Sequence, residues 1–142
     1  MAARAIEILL VEDSLGDARL VMEAMTGARL NNRLHHVMNG VEALAFMRQE
    51  GAYSTQPRPD IVLLDLNMPR MDGRAVLTQV RADPKLKAIP VIALTTSSAR
   101  EDVEFCYGAG ANAFISKPVD FDAFLNVIHQ FENFWLSVVT LP

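Results

Sequence analysis

Short apolar runs that end in polar side chains recur along the chain. Residues 6–11 (Ile-Glu-Ile-Leu-Leu-Val) stop at Glu12 and Asp13, and residues 61–64 (Ile-Val-Leu-Leu) stop at Asp65. Such runs, bounded by turn signals, are typical of strands that are buried on both faces. A weaker run spans residues 34–38, a further run spans residues 90–95, and a short one spans residues 113–116. The pattern therefore predicts five strands.

The segments between these strands have the apolar spacing of helices, and several begin with capping residues. The predicted inward positions are Ala18, Val21, Met22 and Met25 in the first helix, Val41, Leu44, Ala45 and Met47 in the second, Val76, Leu77 and Val80 in the third, and Phe121, Phe124, Leu125 and Ile128 in the last. Strands that alternate with helices predict an α/β fold, a doubly wound parallel sheet with helices on both faces.

Composition narrows the class of protein. The chain has 142 residues, 51% of them hydrophobic, which suits one domain with a sizeable core. A net charge of −4 without blocks of like charge argues against nucleic acid or an acidic membrane surface as a partner. Cys106 is the single cysteine, so no intrachain disulfide can form. The first apolar run is too short for a membrane span, and we expect a cytoplasmic protein.

Polar groups follow four of the predicted strands: Glu12 and Asp13, Asp65, Thr95, and Lys117. In a parallel sheet these groups lie at one edge, where open sheets bind ligands. Two carboxylates about 4 Å apart repel by roughly 4 kcal/mol at an effective dielectric constant near 20. A hard divalent cation such as Mg²⁺ offsets this repulsion. Together with the lysine and the hydroxyl, the acids predict a phosphoryl-transfer site with Asp65 as nucleophile.

Four sequence pieces, in order at strand ends, resemble the receiver domain of two-component response regulators. They are Leu-Val-Glu-Asp-Ser (10–14), Leu-Leu-Asp-Leu-Asn-Met-Pro-Arg-Met-Asp-Gly (63–73), Leu-Thr-Thr (94–96) and Ile-Ser-Lys-Pro (115–118). The resemblance implies a flavodoxin-like fold with strand order 2-1-3-4-5. It also implies a signalling protein rather than an enzyme, which accepts a phosphoryl group from a histidine kinase and changes conformation.

The resemblance assigns roles to individual residues. Asp65 would be phosphorylated, and Asp13, Glu12, Asp65 and the backbone carbonyl of Asn67 would hold Mg²⁺ or Mn²⁺. Phosphoryl oxygens would be bound by Lys117 and Thr95, with Phe114 as the aromatic that moves with the threonine and Thr96 as a residue that tunes dephosphorylation.

A closer resemblance covers both ends and the long loop of residues 51–59. These resemble single-domain regulators that are paired with bacterial and cyanobacterial phytochrome histidine kinases. We therefore expect a receiver domain over residues 1–133, an apolar extension over residues 134–142 and no DNA-binding output domain.

The end of the chain has more apolar residues than one helix can bury against a sheet. They either fold back on their own domain or form a partner surface. We favour a symmetric homodimer, with Phe131, Phe134, Trp135 and Leu136 as candidate contacts.

Two alternative functions stay open at the level of sequence. One is a receiver-like protein-binding module that is never phosphorylated, although the acids and lysine that phosphorylation needs are all present. The other is a haloacid-dehalogenase-like phosphatase, which would need an acid where Asn67 stands. Neither His35 nor His36 is expected to be a ligand or a phosphodonor; one should be exposed and the other half-buried.

Overall fold

A computed structural model describes residues 5–26, 31–66, 68, 73–95, 104, 108–116 and 126. Within these residues the chain forms a five-stranded parallel sheet in the order β2-β1-β3-β4-β5, as expected. The strands are β1 (Ile6–Val11), β2 (Asn32–Val37), β3 (Ile61–Asp65), β4 (Val91–Thr95) and β5 (Ala113–Ser116).

Three helices and a 3-10 turn are described: α1 (Leu15–Thr26), α2 (Gly40–Met47), the 3-10 turn (Gly51–Tyr53) and α3 (Gly73–Ala82). The helices cover both faces of the sheet, because α1 belongs to one buried apolar cluster while α2 and α3 belong to the other. The doubly wound fold is thereby confirmed. Most of the helix that the alternating pattern predicts between β4 and β5, most of the predicted last helix and the whole extension from residue 134 lie outside the described residues.

The central strands are buried along their whole length, as a sheet covered on both faces requires. Every residue of β1 and β3 is buried, including Glu7 and Asp65. Strand β2 is the edge of the sheet and is only half-buried. It runs from Asn32 to Val37, so it begins two residues before the apolar run that predicted it.

Helix α2 turns a different face to the core from the predicted one. Leu44 and Met47 are buried as expected, but Val41 is 57% exposed and Phe46 is buried instead. The segment Ala-Leu-Ala-Phe-Met is apolar on adjacent faces, so periodicity alone does not fix which face turns inward. The expectation that Val41 lies in the core is wrong.

The loop after α2 folds back along that helix. The Tyr53 ring packs against Phe46 with ring centroids 5.3 Å apart, and its hydroxyl donates to Glu42 Oε1 at 3.3 Å. Burial, and then the Glu42 carboxylate, raise the pKa of Tyr53. Glu42 also receives the Met38 N–H, so the loop is tied to the residues that begin α2. Most of the loop's other side chains are exposed, as expected of a surface loop.

Arg81, in the last turn of α3, joins three segments at the amino-terminal edge of the sheet. Its guanidinium donates to the carbonyl oxygens of Lys87 (2.9 Å), Ile89 (2.7 Å) and Gly110 (2.6 and 2.9 Å). It also donates to Asn112 Oδ1 at 2.9 Å, and that same oxygen accepts the Val91 N–H. One side chain therefore holds the starts of β4 and β5 against α3.

Replacing Arg81 should destabilise the protein strongly. Arg81→Met keeps the aliphatic stem but removes all five donors, leaving partly buried carbonyl groups without their partners. We expect the free energy of unfolding to fall by about 2–3 kcal/mol in urea denaturation. Arg19→Met, at an exposed position on α1, is the matched control and should change stability by less than about 0.5 kcal/mol. Equal stabilities for the two variants would contradict this role.

Candidate functional site

Strand order brings three acids together at the carboxyl ends of β1 and β3. The two strands are neighbours in the sheet, with Val11 opposite Leu64, so the residues that follow Val11 meet Asp65. Glu12, Asp13 and Asp65 each offer a carboxylate oxygen, and these oxygens lie within 4.8 Å of one another. Glu12 and Asp65 are buried, and Asp13 is half-buried. The expected acidic cluster is therefore present.

Glu12 is held from several directions. Its N–H donates to the Val37 carbonyl at 3.1 Å, and its own carbonyl accepts from His36 Nε2 at 2.7 Å. Its carboxylate accepts the Ser14 N–H at 3.1 Å, which turns the chain sharply before α1. Ser14 Oγ then accepts the Asp17 N–H at 3.2 Å, so the predicted cap is formed.

Asp65 lies where β3 meets the start of α3. The Leu66 N–H donates to the Leu94 carbonyl at 2.9 Å, which continues the pairing with β4 past Asp65. A Cβ atom on Gly73 would lie 2.4 Å from the Asp65 carbonyl oxygen and 2.7 Å from Leu66 Cα. Only glycine permits so close an approach, and the helix therefore begins directly against the strand end.

The arrangement fits a hard divalent cation. Two carboxylates 4.8 Å apart repel by about 3 kcal/mol at an effective dielectric constant near 20, and this cluster has three. Carboxylate oxygens are the ligands that Mg²⁺ and Mn²⁺ prefer. Glu12, Asp13 and Asp65 are thus the described residues that could hold such an ion.

The other expected site residues are described in part or not at all. Thr95 ends β4 opposite Ser116, the last residue of β5, and Phe114 pairs with Ala93 inside the sheet. These are backbone positions, and they bring both strand ends to the edge that has Asp65. Lys117, Asn67 and Thr96 lie outside the described residues, as do the candidate dimer contacts Phe131, Phe134, Trp135 and Leu136.

The hydrogen bond between His36 and Glu12 is a site contact that the sequence did not predict. Both histidines of β2 are half-buried and hydrogen-bonded, whereas one exposed residue was expected. The partner of His35 is Glu7 on β1, and the partner of His36 is Glu12, the residue that follows β1. The available signal was the position of the pair near the carboxyl end of a strand beside the first acidic strand end.

A doubly wound sheet in this order, with an acid triad between its first and third strands, defines a receiver-type signalling domain. The chain belongs to the response regulator receiver domain family, whose match spans residues 8–129. It is 42% identical to the response regulator Rcp1 of Synechocystis sp. over 135 residues, which cover 95% of this chain and 92% of Rcp1.

Solved structures agree with this assignment. The phosphorylated cyanobacterial phytochrome response regulator RcpA superposes with a TM-score of 0.82 at 41% identity, over 98% of this chain and 99% of RcpA. The Mn²⁺-bound form of Rcp1 gives a TM-score of 0.80 at 42% identity, over 96% of this chain and 99% of Rcp1. The expected family and function class are confirmed: the chain is a response regulator similar to Rcp1.

Membership has general consequences for metal and partner. Receiver domains bind Mg²⁺ or Mn²⁺ at an acidic pocket and act with histidine kinases, and their role is in signalling. This chain has an acidic cluster of its own, formed by Glu12, Asp13 and Asp65. Within the part of the chain that the structure describes, no helix is both long and apolar enough to cross a membrane.

Removing one acid should stabilise the metal-free protein. Asp13 is half-buried, and water screens part of the repulsion, so Asp13→Asn should raise the free energy of unfolding by only about 1 kcal/mol when measured in urea with EDTA. With excess Mg²⁺ the wild type should be more stable than Asp13→Asn, because only the wild type gains the full free energy of ion binding. Glu23→Gln, which removes the same charge from an exposed position on α1, is the control. A lower stability of Asp13→Asn in EDTA would contradict repulsion within the cluster.

Proposed function

We propose that this response regulator accepts a phosphoryl group on Asp65 from a phosphohistidine of its kinase. The observation that supports it is a buried Asp65 with the carboxylates of Glu12 and Asp13 within 4.8 Å, at the edge where both neighbouring strands end. An Asp65 oxygen would attack phosphorus as the bond to the imidazole nitrogen breaks, and the nitrogen would leave with the electron pair.

We further propose Mg²⁺ or Mn²⁺ as the ion of this site. The carboxylates of Glu12, Asp13 and Asp65 would hold it together with the backbone carbonyl of Asn67. The ion would neutralise charge on the phosphoryl oxygens. The chain's part is to hold the acids in place before the ion arrives, and the bonds to Glu12 and the close packing at Gly73 serve that purpose.

The remaining residues of the site would bind and report the phosphoryl group. Lys117 would pair with one phosphoryl oxygen, Thr95 would bind another, and Phe114 would repack as Thr95 moves. Thr96, directly after the threonine, would tune dephosphorylation. Support comes from the backbone, since β4 and β5 both end at the edge that has Asp65.

We propose a phytochrome-type histidine kinase as the partner. The support is similarity along almost the whole chain to RcpA, a cyanobacterial phytochrome response regulator, at 41% identity. The cytoplasm is the expected compartment for this exchange. A net charge of −4 and the absence of any block of like charges argue for protein partners rather than nucleic acid or membrane.

Phosphotransfer tests the proposed acceptor. Wild-type protein mixed with an autophosphorylated phytochrome-type kinase and Mg²⁺ should become labelled, whereas Asp65→Asn should lose at least about 99% of the label because an amide is not a nucleophile for this step. Chelation by EDTA should slow labelling of the wild type to a similar degree.

The control for Asp65→Asn is the same change at Asp60, the residue directly before β3. Asp60 accepts the Glu7 N–H at 2.8 Å through its carboxylate, and an asparagine can still accept that bond. Asp60→Asn should therefore be labelled like the wild type. Persistent labelling of Asp65→Asn would refute Asp65 as the acceptor, and an unlabelled wild type would favour a binding module that is not phosphorylated.

We also propose that the chain forms a homodimer through the apolar extension of residues 134–142, with Phe131 beside it. The support is the composition of that segment, Phe-Trp-Leu-Ser-Val-Val-Thr-Leu-Pro, which offers more apolar surface than a lone domain needs to expose. The division into a receiver domain over residues 1–133 and this extension stays a prediction.

Sedimentation of the full chain tests the dimer. The wild type should have twice the monomer mass, and the double change Phe134→Ser with Leu136→Ser should halve it because the apolar contact is lost. Leu15→Ser, at a residue of α1 that is 61% exposed, is the control and should stay dimeric. A monomeric wild type would exclude the dimer at the concentrations examined.

A further inference from the structure

Two adjacent histidines of the edge strand β2 have different partners, one within β1 and one directly after it. His35 Nε2 lies 2.7 Å from the buried carboxylate of Glu7, and His36 Nε2 lies 2.7 Å from the backbone carbonyl oxygen of Glu12. Successive residues of a strand point to opposite faces, which explains why neighbours have different partners. The bond of His36 reaches the acidic cluster, and the bond of His35 does not.

The chemistry of the His36 contact fixes the role of each atom. A carbonyl oxygen can only accept, so Nε2 of His36 must carry the proton and donate it. The accepting carbonyl belongs to the peptide group that joins Glu12 to Asp13. A peptide group is planar, so fixing the direction of its oxygen fixes the whole plane, including the Asp13 N–H.

The orientation of that plane controls where the Asp13 carboxylate points. Among the described residues, none donates a hydrogen bond to the Asp13 side chain, whereas the Glu12 carboxylate accepts the Ser14 N–H. Within the described part of the chain, the Asp13 side chain is therefore placed mainly by its own backbone. The preceding peptide group is fixed as well, because the Glu12 N–H donates to Val37.

We propose that His36 is a positioning residue for the divalent-cation site. By donating to the Glu12 carbonyl it sets the peptide plane that aims Asp13 at Glu12 and Asp65. The inference rests on the proposed function of the acidic cluster as a cation site. It adds a residue of the edge strand, outside the cluster, that determines how tightly the ion binds.

Mn²⁺ binding to the full chain, measured from the electron paramagnetic resonance signal of free Mn²⁺, tests this role without phosphorylation. His36→Phe keeps a ring but has no donor, and it should raise the Mn²⁺ dissociation constant about 10-fold. His36→Gln can donate to the same carbonyl and should stay within about 3-fold of the wild type. His36→Ala, which lacks the donor without adding bulk, replaces the phenylalanine variant if that protein does not fold.

The matched control is His35→Phe, the same change one residue earlier. It removes the bond to Glu7 and should lower stability in urea denaturation while leaving the Mn²⁺ dissociation constant unchanged. The inference is overturned if the variants of His36 that lack a donor bind Mn²⁺ like the wild type. It is also overturned if His36→Gln binds as weakly as they do, or if His35→Phe weakens binding as much. A wild type that does not bind Mn²⁺ would instead refute the cation site itself, and this inference with it.

Discussion

Mutual repulsion among three carboxylates is the constraint that shapes this protein. Carboxylate oxygens of Glu12, Asp13 and Asp65 lie within 4.8 Å of one another, and Glu12 and Asp65 are buried. The fold therefore keeps together acidic groups that would move apart in an unfolded chain. The apolar strands β1 and β3 oppose this separation, because every residue of both is buried and the two are paired in the middle of the sheet. Burial of the apolar core stabilises the fold, and repulsion among the acids at the strand ends reduces that stability.

Short-range contacts convert this constraint into a defined geometry. Backbone groups supply most of them: the Ser14 N–H donates to the Glu12 carboxylate, the Glu12 N–H donates to the Val37 carbonyl, and Gly73 closely approaches Asp65. Such contacts hold the acids close together before any ion is bound. The free energy needed to bring the carboxylates of such a preformed cluster together is spent during folding, so it does not weaken ion binding.

Much of this organisation could be predicted from the sequence, because it depends on local patterns. The runs that form β1 and β3 are apolar without interruption, and parallel strands place their terminal acids at one edge. The pairing of β1 with β3 is not a local property of the sequence. It was predicted from the resemblance to receiver domains, which implies the strand order. The inward face of α2 was misassigned at Val41 because its sequence is apolar on neighbouring faces. The His36–Glu12 and Arg81–Gly110 contacts join residues 24 and 29 positions apart, respectively, and no periodicity encodes them.

The Arg81 network is confined to one end of the sheet, opposite to the end that has the acidic cluster. At the amino-terminal edge, one guanidinium clamps the starts of β4 and β5 to α3 through Lys87, Ile89 and Gly110. The opposite ends of the same strands lead to Thr95 and to Lys117, which follows Ser116. The same two strands therefore join a hydrogen-bonded anchor on α3 to the edge of the sheet that has Asp65.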